Sequence, residues 1–269
     1  VMIDPTWQRN RLKSEEITRH RYAELEQMNR FVDDDGCRML FLAQALDDAF
    51  ATACGRCDNC LGRKLPEPVA EEISEAIRFL RSSRMSIEPK KMWPPGFAAE
   101  GAKKIPDDLR NEPGLALCTY GDAGWGRQVA ECKYRKGMYS DDVVAAAAKL
   151  AREARAEWVT WVPCMGGGDA VEDLARRLAK ALDIPAVPAV EKLYATPPQR
   201  TMQNSTHQLN NVFKSFKVEK TNPGTCLLVD DVVDSGWTLT AVGSKLRKAG
   251  AEKVIPFALA SSRPREDSA

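Results

Sequence analysis

Apolar residues recur at helical spacing early in the chain: Ile17, Ala23, Leu25, Met28, Phe31 and Val32 follow Ser14-Glu15-Glu16, predicting a helix that Asp33-Asp34-Asp35-Gly36 ends. Met39, Leu40, Leu42, Ala43 and Leu46 predict a second helix over 38–50. Cys37 falls near its N-terminus, where the helix dipole favours a thiolate. Pro66-Glu67-Pro68 breaks the pattern, after which Ile73, Ile77 and Leu80 mark one face of an amphipathic helix over 69–81. Pro89, Pro94 and Pro95 then exclude uninterrupted helix.

From Gly114 the pattern alternates between short apolar runs and helical periodicity. Strands are expected over 115–120 and 128–133, a helix capped by Ser140 through Ala154, a strand over 158–163 and a helix over 170–182. A buried strand over 226–229 runs into Asp230-Asp231-Val232-Val233-Asp234-Ser235-Gly236-Trp237-Thr238, followed by a helix over 240–248 and a strand over 254–259. Alternation of this kind implies an α/β domain with a mainly parallel sheet. The expected division is a helical module over 1–66, a helix and basic proline-rich connector over 67–112, and the α/β domain over 113–269.

A chain of 269 residues exceeds what one core usually serves, and 43% hydrophobic with 29% charged residues excludes disorder throughout. The longest apolar run, 143–148, is far too short to cross a bilayer, so neither a membrane anchor nor a signal peptide is expected. A start at Val1 rather than Met leads us to expect a piece of a longer protein. The 39 basic against 38 acidic residues create no global field, so any nucleic-acid contact must be local. Between Arg78 and Lys104 seven basic residues face only Glu88 and Glu100. Lys90, Lys91, Lys103 and Lys104 are the candidate phosphate contacts there. Trp93 and Phe97 have two open readings: they stack on bases, or they pack the segment onto a domain.

Four of the eight cysteines, Cys37, Cys54, Cys57 and Cys60, are spaced C-x16-C-x2-C-x2-C. Three thiolates folded back in one loop, with a fourth from a helix end, suit one tetrahedral Zn2+; four protein ligands leave no open position, so the metal is structural. Cys118, Cys132, Cys164 and Cys226 read as isolated thiols in a reducing compartment, with Cys164 alone expected near a ligand. Neither His20 nor His207 builds a catalytic pair. His20 is expected on a helix surface, and His207 lies in a polar stretch that is either a hood over the turn after the 226–229 strand or a plain loop.

Met28-Asn29-Arg30-Phe31-Val32, Cys37-Arg38-Met39-Leu40-Phe41-Leu42 and Cys54-Gly55-Arg56-Cys57-Asp58-Asn59-Cys60 together resemble the zinc-binding subdomain of RecQ-family DNA helicases. The resemblance covers about 14–65. It implies an accessory region that supports DNA binding and stability behind ATPase lobes, in a bacterial-type, cytoplasmic and nucleoid-associated 3′-to-5′ helicase of DNA repair or recombination. Its partner would be single-stranded or partly unwound DNA. No GxxxxGK[ST] pattern occurs here, so ATP belongs to motor lobes outside this chain.

The segment 227–240 combines an apolar strand, two strand-end acids and a Ser-Gly-Trp-Thr turn before a helix. Successive backbone N–H groups there suit an anion, and the acids suit ribose hydroxyls, directly or through a metal. It resembles the phosphoribosyl-diphosphate loop of type I phosphoribosyltransferases, and the ComF-like branch through Lys133-Tyr134-Arg135-Lys136-Gly137, Val162-Pro163, Pro198-Gln199, Asn211-Val212 and Phe216. The resemblance implies that Asp230 and Asp231 hold ribose hydroxyls, that Asp234 stands where some relatives place a general base, and that Ser235, Gly236 and Thr238 bind the 5-phosphate. The nest of 234–238, Trp237 included, is expected to hold that phosphate, and the mutual repulsion of the two acids calls for a divalent cation such as Mg2+ as companion. Where the pyrophosphate loop is expected, 163–169 offers backbone N–H groups but no Arg or Lys. Phosphate or nucleotide binding without efficient transfer is therefore expected. The alternatives are a working phosphoribosyltransferase, for which Lys192 or Arg200 would have to supply the missing cation, and a binding scaffold without chemistry.

Overall fold

A computed structural model describes residues 5–64, 66–94, 97, 103–133, 137–164, 170–194, 209, 212–218 and 221–263. The chain divides into two units, Val1–Pro68 and Val69–Ala269.

The first unit is helical: α1 (Pro5–Asp33), α2 (Arg38–Ala45) and the single turn α3 (Asp58–Leu61). Helix α2 stops short of the expected 50 because Leu46 and Asp47 turn their N–H groups back onto Ala43 and Gln44, with Asp47 at a left-handed φ of 62°. Among residues 12–64 none is buried; Leu25, Met28 and Val32 on α1 are all exposed. Residues 12–64 thus supply no buried apolar core to hold the unit, so cross-links must contribute.

The second unit opens with α4 (Ala70–Ser82), whose first turn carries Glu71 and Glu72 and whose last carries Arg81, as the helix dipole favours. A five-stranded sheet follows in the order β1 (Met85–Ile87), β2 (Gly114–Thr119), β7 (Lys253–Ser261), β6 (Thr225–Val233), β3 (Trp158–Trp161). Only β1 runs antiparallel, against β2. A small hairpin pairs β4 (Glu191–Lys192) with β5 (Phe216–Lys217). Besides α4, the helices among the described residues of this unit include α5 (Gly126–Glu131), α6 (Asp141–Ala151), α7 (Ala170–Leu182) and α8 (Trp237–Lys248). The architecture is α/β with a mostly parallel sheet.

Side chains alternate along β6. Leu227 and Val229 enter a core with Val143, Ala147, Leu174 and Leu178 of α6 and α7. Cys226 and Leu228 enter the opposite core with Leu239, Val242 and Leu246 of α8. Both faces are thus covered, which is why the sequence of β6 reads as continuously apolar rather than alternating. Met85, Trp93, Phe97 and Ile105 belong to the α8-side core, so the basic connector is a packed layer of the second unit.

One expected strand is a helix. Residues 126–131 form α5, with Val129 and Cys132 buried three positions apart, a helical rather than an alternating spacing. The Asp122 carboxylate accepts from Thr119, Gly124 and Gly126 N–H groups and so closes the turn that starts it. No helix among the described residues is long and apolar enough to cross a membrane.

Candidate zinc centre and phosphate site

In the first unit the sulfurs of Cys37, Cys54, Cys57 and Cys60 lie within 4.8 Å of one another. Tetrahedral zinc with Zn–S bonds near 2.3 Å puts its sulfurs roughly 3.8 Å apart, and Cys37 and Cys57 Sγ are 4.0 Å apart. Backbone amides aim at these sulfurs: Cys37 accepts from Cys54 and Leu40, Cys54 from Cys57, and Cys57 from Cys60. The Cys54 and Leu40 amides draw the Cys37 thiol down to about 6. The Cys60 amide lowers Cys57, and the adjacent Cys57 and Cys37 sulfurs push Cys60 up to about 12. Four thiolates this close repel unless a cation joins them, so the donor set fits a structural Zn2+.

The residues between the cysteines brace this cluster. Arg38 donates from Nε to both carboxylate oxygens of Asp58, at 3.0 and 2.9 Å, and from Nη1 to Phe31 O at 3.0 Å. Its guanidinium also lies 5.4 Å from the centre of the Phe31 ring, which meets Phe41 edge-on. Asn59 Nδ2 donates to Asp34 O and Gly36 O at 2.8 Å, tying the zinc loop to the end of α1. These are the outer contacts that fix metal ligands in place.

In the second unit β6 carries Asp230 and Asp231 at its end. Asp230 is half-buried, and burial followed by the Asp231 charge pushes its carboxyl up to about 8, against the pull of Lys133 and Lys192. Lys133 Nζ donates to Asp231 Oδ2 at 2.7 Å, and the Tyr139 hydroxyl reaches the same oxygen at 3.5 Å. Burial and Asp231 raise the Tyr139 hydroxyl far above its ordinary range. Asp234 is exposed and accepts from Ser262 Oγ at 2.7 Å. Gly236 takes φ 78°, open to glycine at no steric cost, and turns the chain into α8. The α8 N-terminus therefore presents Ser235, Gly236, Trp237 and Thr238 together, an anion-binding arrangement in principle.

The expected DNA contacts do not all lie together. Trp93 is 8% exposed and packs against Phe97 and Phe213, with ring centres 5.3 and 6.1 Å away. Base stacking by Trp93 is thereby corrected, because both aromatics serve the core. Lys91, Lys103 and Lys104 are exposed on two facing segments joined by Trp93 N–H to Lys103 O and Ile105 N–H to Lys91 O. Lys90 instead turns inward, with Nζ 5.2 Å over the Trp237 ring. His20 is exposed on α1. The loop residues 165–169, Arg200 and His207 lie outside the described residues. Sequence reasoning missed Tyr139 and Arg263 altogether. Lys133 is visible in the sequence only within Lys133-Tyr134-Arg135-Lys136-Gly137, where the cluster of basic residues is the available signal.

Residues 136–267 match the family model of the phosphoribosyl transferase domain, and residues 2–61 match the RecQ zinc-binding model. Solved structures similar to the chain include a purine phosphoribosyltransferase from Pyrococcus horikoshii Ot3, at 24% identity over 45% of this chain and 72% of that one, TM-score 0.30. An adenine phosphoribosyltransferase from Leishmania tarentolae matches at 14% identity with the same coverages, 45% and 72%, and TM-score 0.30. No curated protein matches. The chain thus joins a RecQ-type zinc-binding segment to a C-terminal phosphoribosyl transferase domain.

Proposed function

We propose that this chain is an accessory region of a RecQ-like DNA helicase acting in DNA repair or recombination, in the cytoplasm at the nucleoid. The observation that carries the reading is the four-cysteine cluster with its Arg38–Asp58 and Asn59 braces inside the RecQ-type segment. The first unit contributes stability through zinc, and Lys91, Lys103 and Lys104 meet the backbone of single-stranded or partly unwound DNA. ATP hydrolysis is supplied by motor lobes. A protein with such lobes preceding this chain should unwind a 3′-tailed duplex in ATP, and Cys57→Ser should reduce that unwinding. A parent protein that hydrolyses no ATP on DNA contradicts the reading.

For the second unit we infer a ligand bearing a ribose phosphate, with Asp230 and Asp231 on the sugar side and Mg2+ between them and the ligand. The magnesium would neutralise two adjacent carboxylates, of which Asp230 is raised by burial and then by repulsion from Asp231. Transfer is a second reading. What favours it is cationic supply at the acids: Lys133 pairs with Asp231, and Lys192 acts on Asp230 from β4. Pyrophosphate release from phosphoribosyl diphosphate with candidate bases separates the two. Release lost in Asp234→Asn establishes transfer, and binding without release leaves a receptor.

A further inference from the structure

Lys90 differs from its neighbours in the connector. A Cβ placed on Gly236 would stand 3.8 Å from Lys90 Cε, and the ammonium lies over the buried ring of Trp237. Burial first, then the nearby Arg263 charge, lowers its pKa from the ordinary 10.5. Arg263, just past the end of β7, reaches Ser235 O with Nη2 at 3.4 Å. Among the described residues no carboxylate pairs with either cation. Two cations drawn together, one of them half-buried and neither neutralised, are unfavourable unless an anion joins them.

A cavity of about 1150 Å³ opens where they meet, lined by Lys90, Arg263, Ser235, Gly236 and Asn111 among others. The Ser235 hydroxyl is buried there without a hydrogen-bond partner among the described residues. Two acids line the same cavity, and each already accepts a serine hydroxyl: Asp234 from Ser262 and Glu88 from Ser86. The volume is somewhat above the usual range for a small-molecule site and holds a sugar phosphate with room to spare.

We propose that Lys90 and Arg263 clamp a phosphate monoester onto the 234–238 turn, making the connector one wall of the ligand site. The inference rests on reading that turn as a phosphate loop. A phosphate dianion balances both cations and accepts from the Ser235 hydroxyl, which a single carboxylate or a neutral ligand does not. It also gives Lys90 a task apart from the exposed lysines beside it.

Calorimetric titration of the whole zinc-loaded chain with ribose 5-phosphate tests this, with inorganic phosphate and unphosphorylated ribose as companion probes. Wild type should bind both phosphates and not ribose. Lys90→Gln and Arg263→Gln should each weaken ribose 5-phosphate at least tenfold, while Lys149→Gln on α6 leaves it unchanged. The Lys90→Gln protein should melt no lower than wild type, since no ion pair is lost and relief of the half-buried charge beside Arg263 offsets the lost contact with the Trp237 ring. Equal affinity in Lys90→Gln and wild type overturns this inference alone. No binding of either phosphate by wild type overturns the phosphate-loop reading as well. A 5′-phosphorylated oligonucleotide that needs Lys90 where ribose 5-phosphate fails to bind overturns the small-ligand assignment.

Discussion

Replacing Asp230 with Asn should stabilise the second unit above neutral pH, at the expense of ligand binding. In the folded protein the Asp230 carboxyl sits at about 8 rather than the ordinary 3.8. Between those values the native state holds a proton that the unfolded chain releases. Stability from this group is therefore present at acid pH and lost as pH rises through that window. A tenfold change in proton affinity is worth about 1.4 kcal/mol, so at pH 7 the full effect has a ceiling of about 4 kcal/mol. Water penetration and relaxation around a half-buried group reduce it to about 2 kcal/mol. Urea unfolding of wild type and Asp230→Asn from pH 5.5 to 8, followed by tryptophan fluorescence, measures the difference directly. Trp93, Trp125, Trp158, Trp161 and Trp237 all report on the second unit. The gain in the Asn protein should grow with pH, since titrating groups that do not feel the Asp230 charge cancel between the two proteins, and Asp231 and Tyr139, which do feel it, are relieved of it in the Asn protein. A difference that is flat over this range, or a less stable Asn protein at pH 8, refutes the burial argument.

Other expectations follow from single contacts. Zinc analysis should find about one ion per chain, and Cys57→Ser should lose it and abolish the ordered first unit while leaving urea unfolding of the second unchanged. Gly243→Ala should destabilise the second unit by about 1–3 kcal/mol, because a Cβ there would overlap Asn111 Oδ1; the loss should shrink when Asn111→Ala is added, as read by thermal melts. Leu178→Ala, fully buried between α7 and the sheet, should cost about 2–5 kcal/mol in the same assay.

The zinc site was legible because its ligands lie close in sequence and their spacing is set by one metal. The intervening Arg38, Asp58 and Asn59 carried the family resemblance, yet what they brace emerged only once α1 and the loop were folded together. The strand-turn-helix at 225–248 was equally legible, since buried parallel strands announce themselves as continuous apolar runs. The helix at 126–131 was not, because a short run containing Val129 and Cys132 suits either period, and a carboxylate four residues upstream of α5 decides between them. Strand β1 and the inward turn of Lys90 were hidden for a different reason: both depend on partners more than twenty residues away. A lysine bound for the core side and a lysine bound for solvent look the same in a basic, proline-rich segment.

The most direct test of the proposed helicase-accessory role is anisotropy of a fluorescent 3′-tailed duplex titrated with the zinc-loaded chain at 50 and 200 mM salt. With three phosphate contacts from Lys91, Lys103 and Lys104 on the single-stranded tail, affinity should fall roughly twenty-fold between the two salts. Charge reversal at Lys103 and Lys104 should weaken binding and flatten that dependence. Absence of binding at 50 mM, or binding whose salt dependence survives the reversals, contradicts the account.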